Sequence, residues 1–368
     1  MQEAAEYIEG LVERARKAQA QIEFADQEKV DDIVKRVAWS GVRPDFAEDF
    51  AKLCADDTRM GHAPHKYGKL QTKIKGALRD MIGKKTVGLV YEDKANGIAK
   101  IAKPVGVVGA LIPVTNSEAT PFVKAIHCLK TRNAVILAPH PRAQKTNDTA
   151  AAQIRAVLKK NGWPEDLVIG IDEVSVDKSK ELMAQCDLIL ATGGGGMVKA
   201  AYSSGTPSQG VGAGNAVCVV DETADLADAA DKIMRSKTFD HATSCSTENS
   251  VAIQADVYDK MLEELDKVGG YLCSAEEKVK LEAAMWNEKG LNRDIVAQPA
   301  ARIAEIAGID LPAGKSFLMA EETGVGKEFH FSGEKLSVVV AIYKWNEFSD
   351  AVDLVNRITT YSGAGHSC

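Results

Sequence analysis

Between residues 105 and 192, short apolar runs alternate with stretches of helical periodicity, and this rhythm restricts the fold more than any other feature of the chain. Residues 105–112, 134–138, 167–171 and 188–192 read as strands, and 119–129, 147–160 and 178–185 as helices. Strands joined through helices need crossover connections, so they lie parallel in an α/β sheet. Ligands of such sheets bind beyond the carboxyl ends of the strands. Three loops fall there, at 115–119, 139–142 and 193–196. A second series follows position 245, with strands at 250–253 and 338–343 and helices at 257–267 and 348–358. The first eighty residues carry helical spacing instead, in Tyr7, Ile8, Leu11 and Val12 and again in Val30, Ile33, Val34 and Val37. Residues 86–91 and 98–102 read as two strands around the Asn96-Gly97 turn signal. The expected organisation is two α/β domains, 1–238 and 239–368.

Composition removes several function classes. The formal net charge is −7 and the basic residues are interspersed with acids, whereas a nucleic-acid binder gathers Lys and Arg on one face. No apolar run approaches the roughly 20 residues that cross a bilayer, and residues 1–10 carry three Glu rather than a secretory h-region. Seven cysteines are scattered without a CxxC pair, which argues against a disulfide framework or a zinc knuckle and for free thiols in a reducing compartment. No metal site is expected.

Several motifs carry chemistry, each with a plainer reading beside it. The tetrad 193–196 follows a strand and precedes a helix expected at 197–202. Bare backbone there lets N–H groups approach a phosphate, although a tight turn has the same composition. A second glycine cluster at 210–215 runs into a strand, and close packing or a bulge accounts for it equally well. Cys245 sits in the polar segment 239–249, while Cys218 lies among valines. A nucleophilic thiol needs access and a partner that stabilises the thiolate, so Cys245 is the best candidate of the seven, with His241 as one conceivable partner. Asn116 follows a buried strand, where its amide suits an oxyanion or a helix cap. His366, between glycines, fits a general base or a solvated loop. Pro139-His140-Pro141-Arg142 offers an Arg for phosphate, or a structural turn only.

Taken together, these segments resemble the CoA-acylating branch of the aldehyde dehydrogenases over nearly the whole chain. The resemblance lies in residues 104–108 followed by 113–116, in 129–135 and 138–142, in Ala191-Thr192-Gly193-Gly194, and in 197–205 and 210–215. It continues through Phe239-Asp240 ahead of Cys245, Gly333-Glu334-Lys335-Leu336-Ser337 and Gly365-His366-Ser367. It departs at Val338, where the family usually has Pro. The resemblance implies a Rossmann-like cofactor domain with N-terminal helices and a second, catalytic α/β domain, with further strands and an oligomerisation segment beyond Cys368. Cys245 is then the nucleophile, Asn116 an oxyanion donor, and His366 a group for CoA handling or proton transfer. Thr115, Thr192, Gly193, Gly194, Gly195 and Gly212 fall along the cofactor site, with Pro139, His140 and Arg142. Glu334 clamps the nicotinamide ribose. Hydrolytic relatives often hold the adenosine ribose with a Lys near position 138, where this chain has Ala138. Arg142 or Lys145 is the candidate for a 2′-phosphate, so NAD and NADP both stay open.

The implied reaction takes an aldehyde, CoA and NAD(P)+ to acyl-CoA and NAD(P)H through a thioester on Cys245. Hydrolytic members carry a Glu base in the segment matching 210–215, and residues 203–220 here contain no Asp or Glu. Without a base to activate water, a thiol is the better acceptor. The local pattern is most similar to sulfoacetaldehyde-type enzymes, and Thr243 and Ser244 offer hydroxyls to an anionic substrate tail. Acetaldehyde and succinate semialdehyde are the alternatives, and a non-catalytic nucleotide-binding scaffold is the reading from another class. The expected setting is the cytoplasm or a bacterial microcompartment, as a homo-oligomer, without nucleic acid or membrane.

Overall fold

The computed structural model describes residues 2–288, 290–364 and 366; Gly365 and Ser367 of the 365–367 motif lie outside them. The chain forms two compact units, one of residues 1–59 and 63–211, the other of 60–62 and 212–368.

The first unit opens with helices α1 (Gln2–Ile22), α2 (Gln27–Val42) and α3 (Pro44–Thr58). α1 buries Ile8, Leu11, Val12, Ala15 and Ala18, a stripe at helical spacing. The Asp26 carboxylate accepts the Lys29 N–H and caps α2. Pro44 sits in the first turn of α3, where its missing N–H costs nothing. α4 (Ala63–Lys69) passes through a π-helical turn at Leu70–Ile74 into α5 (Lys75–Met81). An antiparallel hairpin follows, β1 (Gly88–Asp93) and β2 (Ile98–Ala102), turning at Gly97 with a φ of 67°.

The sheet of this unit comprises β3 (Val107–Ile112), β4 (Ala134–Pro139), β5 (Val168–Gly170), β6 (Leu188–Thr192) and β7 (Ser208–Val211). Their order is β5-β4-β3-β6-β7 and every pairing is parallel. The crossovers are α6 (Thr120–Lys130), α7 (Gln144–Lys160), α8 (Val176–Gln185) and α9 (Gly195–Tyr202). All six residues of β3 and of β4 are buried, as strands covered on both faces must be. β3 begins two residues later than the apolar run. Val105 is exposed, and Gly106 has a φ of 123° with Asp187 Oδ2 only 2.2 Å from where a Cβ would stand. The chain order reverses direction between β3 and β6, so their carboxyl ends flank the switch point where such sheets take ligands.

The second unit holds β8 (Ala216–Val220), β9 (Glu248–Gln254), β10 (Gly270–Leu272), β13 (Phe317–Glu321) and β14 (Val339–Trp345) in the order β10-β13-β14-β9-β8, also parallel. Between β10 and β13 a short antiparallel pair, β11 (Trp286–Asn287) and β12 (Gly290–Leu291), interrupts the chain. The helices are α10 (Leu226–Thr238), α11 (Tyr258–Lys267), α12 (Ala275–Met285), α13 (Ala300–Ala307) and α14 (Phe348–Tyr361). The division between units falls at Val211/Gly212, earlier than the 238/239 boundary read from the sequence. The reason is that β8 pairs with β9, which commits 216–220 and α10 to the second sheet. Among the described residues, no helix is long and apolar enough to cross a membrane, and no cluster of ligands suits a metal.

Candidate active site

In the second unit, the segment ahead of Cys245 is wound against the preference of L-residues. Asp240, His241 and Ala242 have φ values of 51°, 50° and 61°. Each such residue costs roughly 1–2 kcal/mol, so something must hold the turn. The Asp240 side chain does so: fully buried, it accepts the His62 N–H at 2.7 Å on Oδ1 and the Thr243 hydroxyl at 2.6 Å on Oδ2. Hydrogen bonds to a charged group contribute about 1.5–3 kcal/mol each, enough to offset the strain. Gly61 makes the approach possible, since a Cβ there would stand 2.1 Å from Asp240 Oδ1 at a φ of 75°. Strain of this kind concentrates at functional sites.

The turn presents Cys245 half-buried, with its Sγ 3.1 Å from His366 Nε2. Burial pushes Cys54, Cys128, Cys186 and Cys273 up to about 12 and Cys218 up to about 11, which keeps them as thiols at neutral pH. Backbone packing fixes the Cys–His pair. A Cβ on Gly214 would meet the Cys245 carbonyl at 2.1 Å and His366 Cε1 at 3.2 Å. Gly363, at a φ of 94°, packs against the Asn215 backbone, and its carbonyl accepts the His366 N–H at 3.0 Å. Close approach is therefore the role of Gly214, and an irregularity in the β8 register follows at Ala216/Val217.

Glu334 Oε1 accepts the Gly214 N–H at 3.0 Å. Removal from water raises this carboxyl to about 6, against the opposing pull of that N–H and of Lys335 and Lys237. Lys335 is fully buried and held well below its ordinary range by desolvation, with its Nζ donating to the Phe331 and Gly333 carbonyls.

His366 stands against the sulfur, and the His241 ring stacks on His62 with centroids 5.9 Å apart. One expectation changes here. Thr243 is fully buried and gives its hydroxyl proton to Asp240, so it supports the turn rather than offering that proton to a substrate tail. Ser244 stays half-buried beside the cysteine, and Ser246 is exposed.

In the first unit, the carboxyl end of β3 runs through Pro113 into a 3-10 turn at Val114–Asn116. There Asn116 Oδ1 accepts from Lys69 Nζ at 3.0 Å, and its amide donates weakly to Thr115 Oγ1 at 3.3 Å. Thr192 closes β6, and Gly193 to Gly196 follow it. α9 begins at Gly195, two residues before the expected start, so half of the tetrad forms its first turn. A Cβ on Gly194, Gly195 or Gly196 would meet no atom within 4 Å. Packing therefore does not demand these glycines, and the open N-terminus of α9 fits the phosphates of a nucleotide. Gly212 has the same open surroundings at the start of the second unit.

β4 ends in buried Pro139, and exposed His140 accepts the Arg142 N–H on Nδ1. Arg142 Nη2 donates to the Thr58 carbonyl at the end of α3, a cation on a helix C-terminus. Lys145 is exposed. Sequence reasoning did not single out Gly61, Lys69 or Gly363, and it quoted Asp240 only within the Phe239-Asp240 motif, without a role. Only the glycines carried a local signal, as candidates for positive φ.

Comparison with known proteins shows the family. Residues 2–269 match the aldehyde dehydrogenase family. The chain is 45% identical, over its whole length and 75% of the relative, to an acylating sulfoacetaldehyde dehydrogenase of Cupriavidus necator. An acetylating aldehyde dehydrogenase from Geobacillus thermoglucosidasius superposes with a TM-score of 0.95 at 36% identity, covering 99% of this chain and 80% of that one. A Rhodopseudomonas palustris propionaldehyde dehydrogenase, solved with bound CoA and an acylated cysteine, superposes with a TM-score of 0.84 at 27% identity, covering 95% and 80%. The two-sheet fold, the His-paired cysteine and these matches agree: the chain belongs to the aldehyde dehydrogenase family, in its acylating branch.

Proposed function

We propose that the protein oxidises sulfoacetaldehyde, with CoA as acyl acceptor and NAD(P)+ as oxidant, through a thioester on Cys245. The observation that carries this is the 3.1 Å contact between Cys245 Sγ and His366 Nε2. An imidazole at this distance is well matched to taking a proton from a thiol, whose ordinary pKa is about 8.5, and so suits both thiols of the cycle. The preference for a thiol over water as acceptor rests on residues 203–220, which contain no Asp or Glu to activate water.

The Cys245 thiolate attacks the aldehyde carbon, and the carbonyl oxygen becomes an alkoxide held by the Asn116 amide. The nicotinamide cofactor, when bound, accepts the hydride whose departure leaves a thioester on the sulfur. His366 then takes the proton of the CoA thiol, which attacks the thioester carbon. Cys245 leaves as thiolate, and acyl-CoA departs. The open glycines at 193–196, together with Thr192, Thr115 and Gly212, are the candidate cofactor contacts, and Glu334 the candidate ribose clamp. Support for the sulfonate comes from the 45% identity to the sulfoacetaldehyde enzyme and from the hydroxyls of Ser244 and Ser246.

The test is product analysis with sulfoacetaldehyde, acetaldehyde and succinate semialdehyde, each with NAD or NADP and with or without CoA. The expected result is acyl-CoA formed fastest from sulfoacetaldehyde and little free acid. Equal turnover to free acid with and without CoA contradicts the acyl-transfer reading, and a preference for another aldehyde contradicts the substrate.

A further inference from the structure

Three charged side chains with no solvent exposure meet beneath the Asn116 turn. Glu118 Oε2 lies 3.6 Å from Lys66 Nζ, and Glu118 Oε1 lies 3.8 Å from Lys69 Nζ. Burying such groups costs several kcal/mol per ion unless partners compensate. At these distances the single Glu118 carboxylate offsets only part of the charge of the two lysines, without close hydrogen bonds to either. The close bonds of Lys69 run elsewhere: its Nζ donates to Asn116 Oδ1 at 3.0 Å and to the Thr115 carbonyl at 3.3 Å.

This arrangement fixes more than position. An ammonium has three donors and no acceptor, so only the oxygen of the Asn116 amide can face it. The Nδ2 hydrogens are then turned the other way, and one of them is engaged only weakly, by Thr115 Oγ1 at 3.3 Å. A cation on the amide oxygen also polarises the group and strengthens its N–H donors. The backbone beneath is pinned as well, since the Asn116 carbonyl accepts the Thr120 hydroxyl at 2.7 Å. Lys69 is the last residue of α4, directly before the π-helical turn, an irregularity often found near functional sites.

We propose that Lys69 is a positioning residue for the reaction: it anchors the Asn116 amide by its oxygen, so that the NH2 group is presented, oriented and polarised, to the developing oxyanion. This rests on the reading of Asn116 given above. Lys69 touches neither substrate nor cofactor in this scheme, and its contribution passes entirely through Asn116.

A double-mutant cycle on the full chain separates this role from a structural one. Single-turnover formation of NAD(P)H is measured for Lys69→Met, Asn116→Ala and the double variant, beside Lys69→Gln, whose amide can still donate to Asn116 Oδ1. Loss of an oxyanion donor costs roughly 100- to 1000-fold. Asn116→Ala is expected in that range. Lys69→Met is expected to lose about 10- to 100-fold in rate, with aldehyde KM within about 3-fold. In the Asn116→Ala background, Lys69→Met should cost under about 3-fold, and Lys69→Gln should recover part of the loss. Alkylation of Cys245 by iodoacetamide at the wild-type rate verifies that the variants are folded. If Lys69→Met does not fold, Lys69→Gln carries the same cycle, with its loss required to vanish in the Asn116→Ala background. Equal losses in both backgrounds, with Asn116→Ala itself strongly impaired, overturn the proposal and leave the role of Asn116 standing. A wild-type rate in Asn116→Ala overturns the reading of Asn116 and the proposal with it.

Discussion

At the residue scale, the decisive contacts join positions far apart in the chain. Asp240 reaches His62 across 178 positions, and Cys245 meets His366 across 121. Gly61 has no space for a methyl group and a φ that disfavours one. Gly61→Ala should therefore cost about 2–3 kcal/mol of stability and slow alkylation of Cys245 by iodoacetamide at least ~10-fold. A variant with wild-type thiol reactivity would separate the turn from the nucleophile. Thr243→Val removes only the hydroxyl that Asp240 accepts. It should lower kcat for sulfoacetaldehyde and acetaldehyde alike, by roughly 10-fold, the equivalent of the hydrogen bond lost. Ser244→Ala should instead raise KM for the sulfonate selectively. A selective KM effect in Thr243→Val would return that hydroxyl to the substrate. The prominence of Cys245 was legible because a polar neighbourhood surrounds it in sequence. The roles of Asp240 and Lys69 were not legible, because a buried charge leaves no periodic trace and its partners lie in other elements.

At the scale of elements, the strands that read most clearly are those buried on both faces, where a continuous apolar run is physically required. β3, β4, β9 and β14 lie within a few residues of their sequence ranges, as does β6, in which buried and half-buried residues alternate. α12 gave no clear period, since only Leu281 and Met285 of its eleven residues are buried, and β10 is three residues long. The glycine turn after β6 is an element whose function separates from its stability. Gly194 has φ −62° and ψ 156°, open to any residue, and no neighbour stands where its Cβ would be. Gly194→Val should thus stay within ~0.5 kcal/mol of wild-type stability while raising the KM for NAD(P) at least ~10-fold. An unchanged KM would remove this turn from the cofactor site.

At the scale of the whole molecule, the candidate residues divide between two compact units, each with its own parallel sheet: Asn116 and the glycine turn fall in the first, Cys245 and His366 in the second. The compact units divide earlier than the boundary read from the sequence because strand pairing, a non-local property, joins β8 to the second sheet. Folding also couples the site to pH. Glu334 is raised from 4.5 to about 6 by desolvation, so the folded state holds its proton more tightly than the unfolded one. Its stabilising effect is complete below pH 4.5 and is lost as the pH rises through about 6. Glu334→Gln should therefore gain on the wild type, by on the order of 2 kcal/mol, when chemical unfolding at pH 7 is compared with pH 4.5. A difference independent of pH would contradict this assignment.

The most direct test of the account is intact-mass analysis of the protein mixed with aldehyde and NAD(P)+ in the absence of CoA. The account predicts one acyl group per chain on Cys245, discharged as acyl-CoA when CoA is added, and none on Cys245→Ser. Reduction of the nicotinamide by Cys245→Ser at the wild-type rate, with no adduct on either protein, would contradict it.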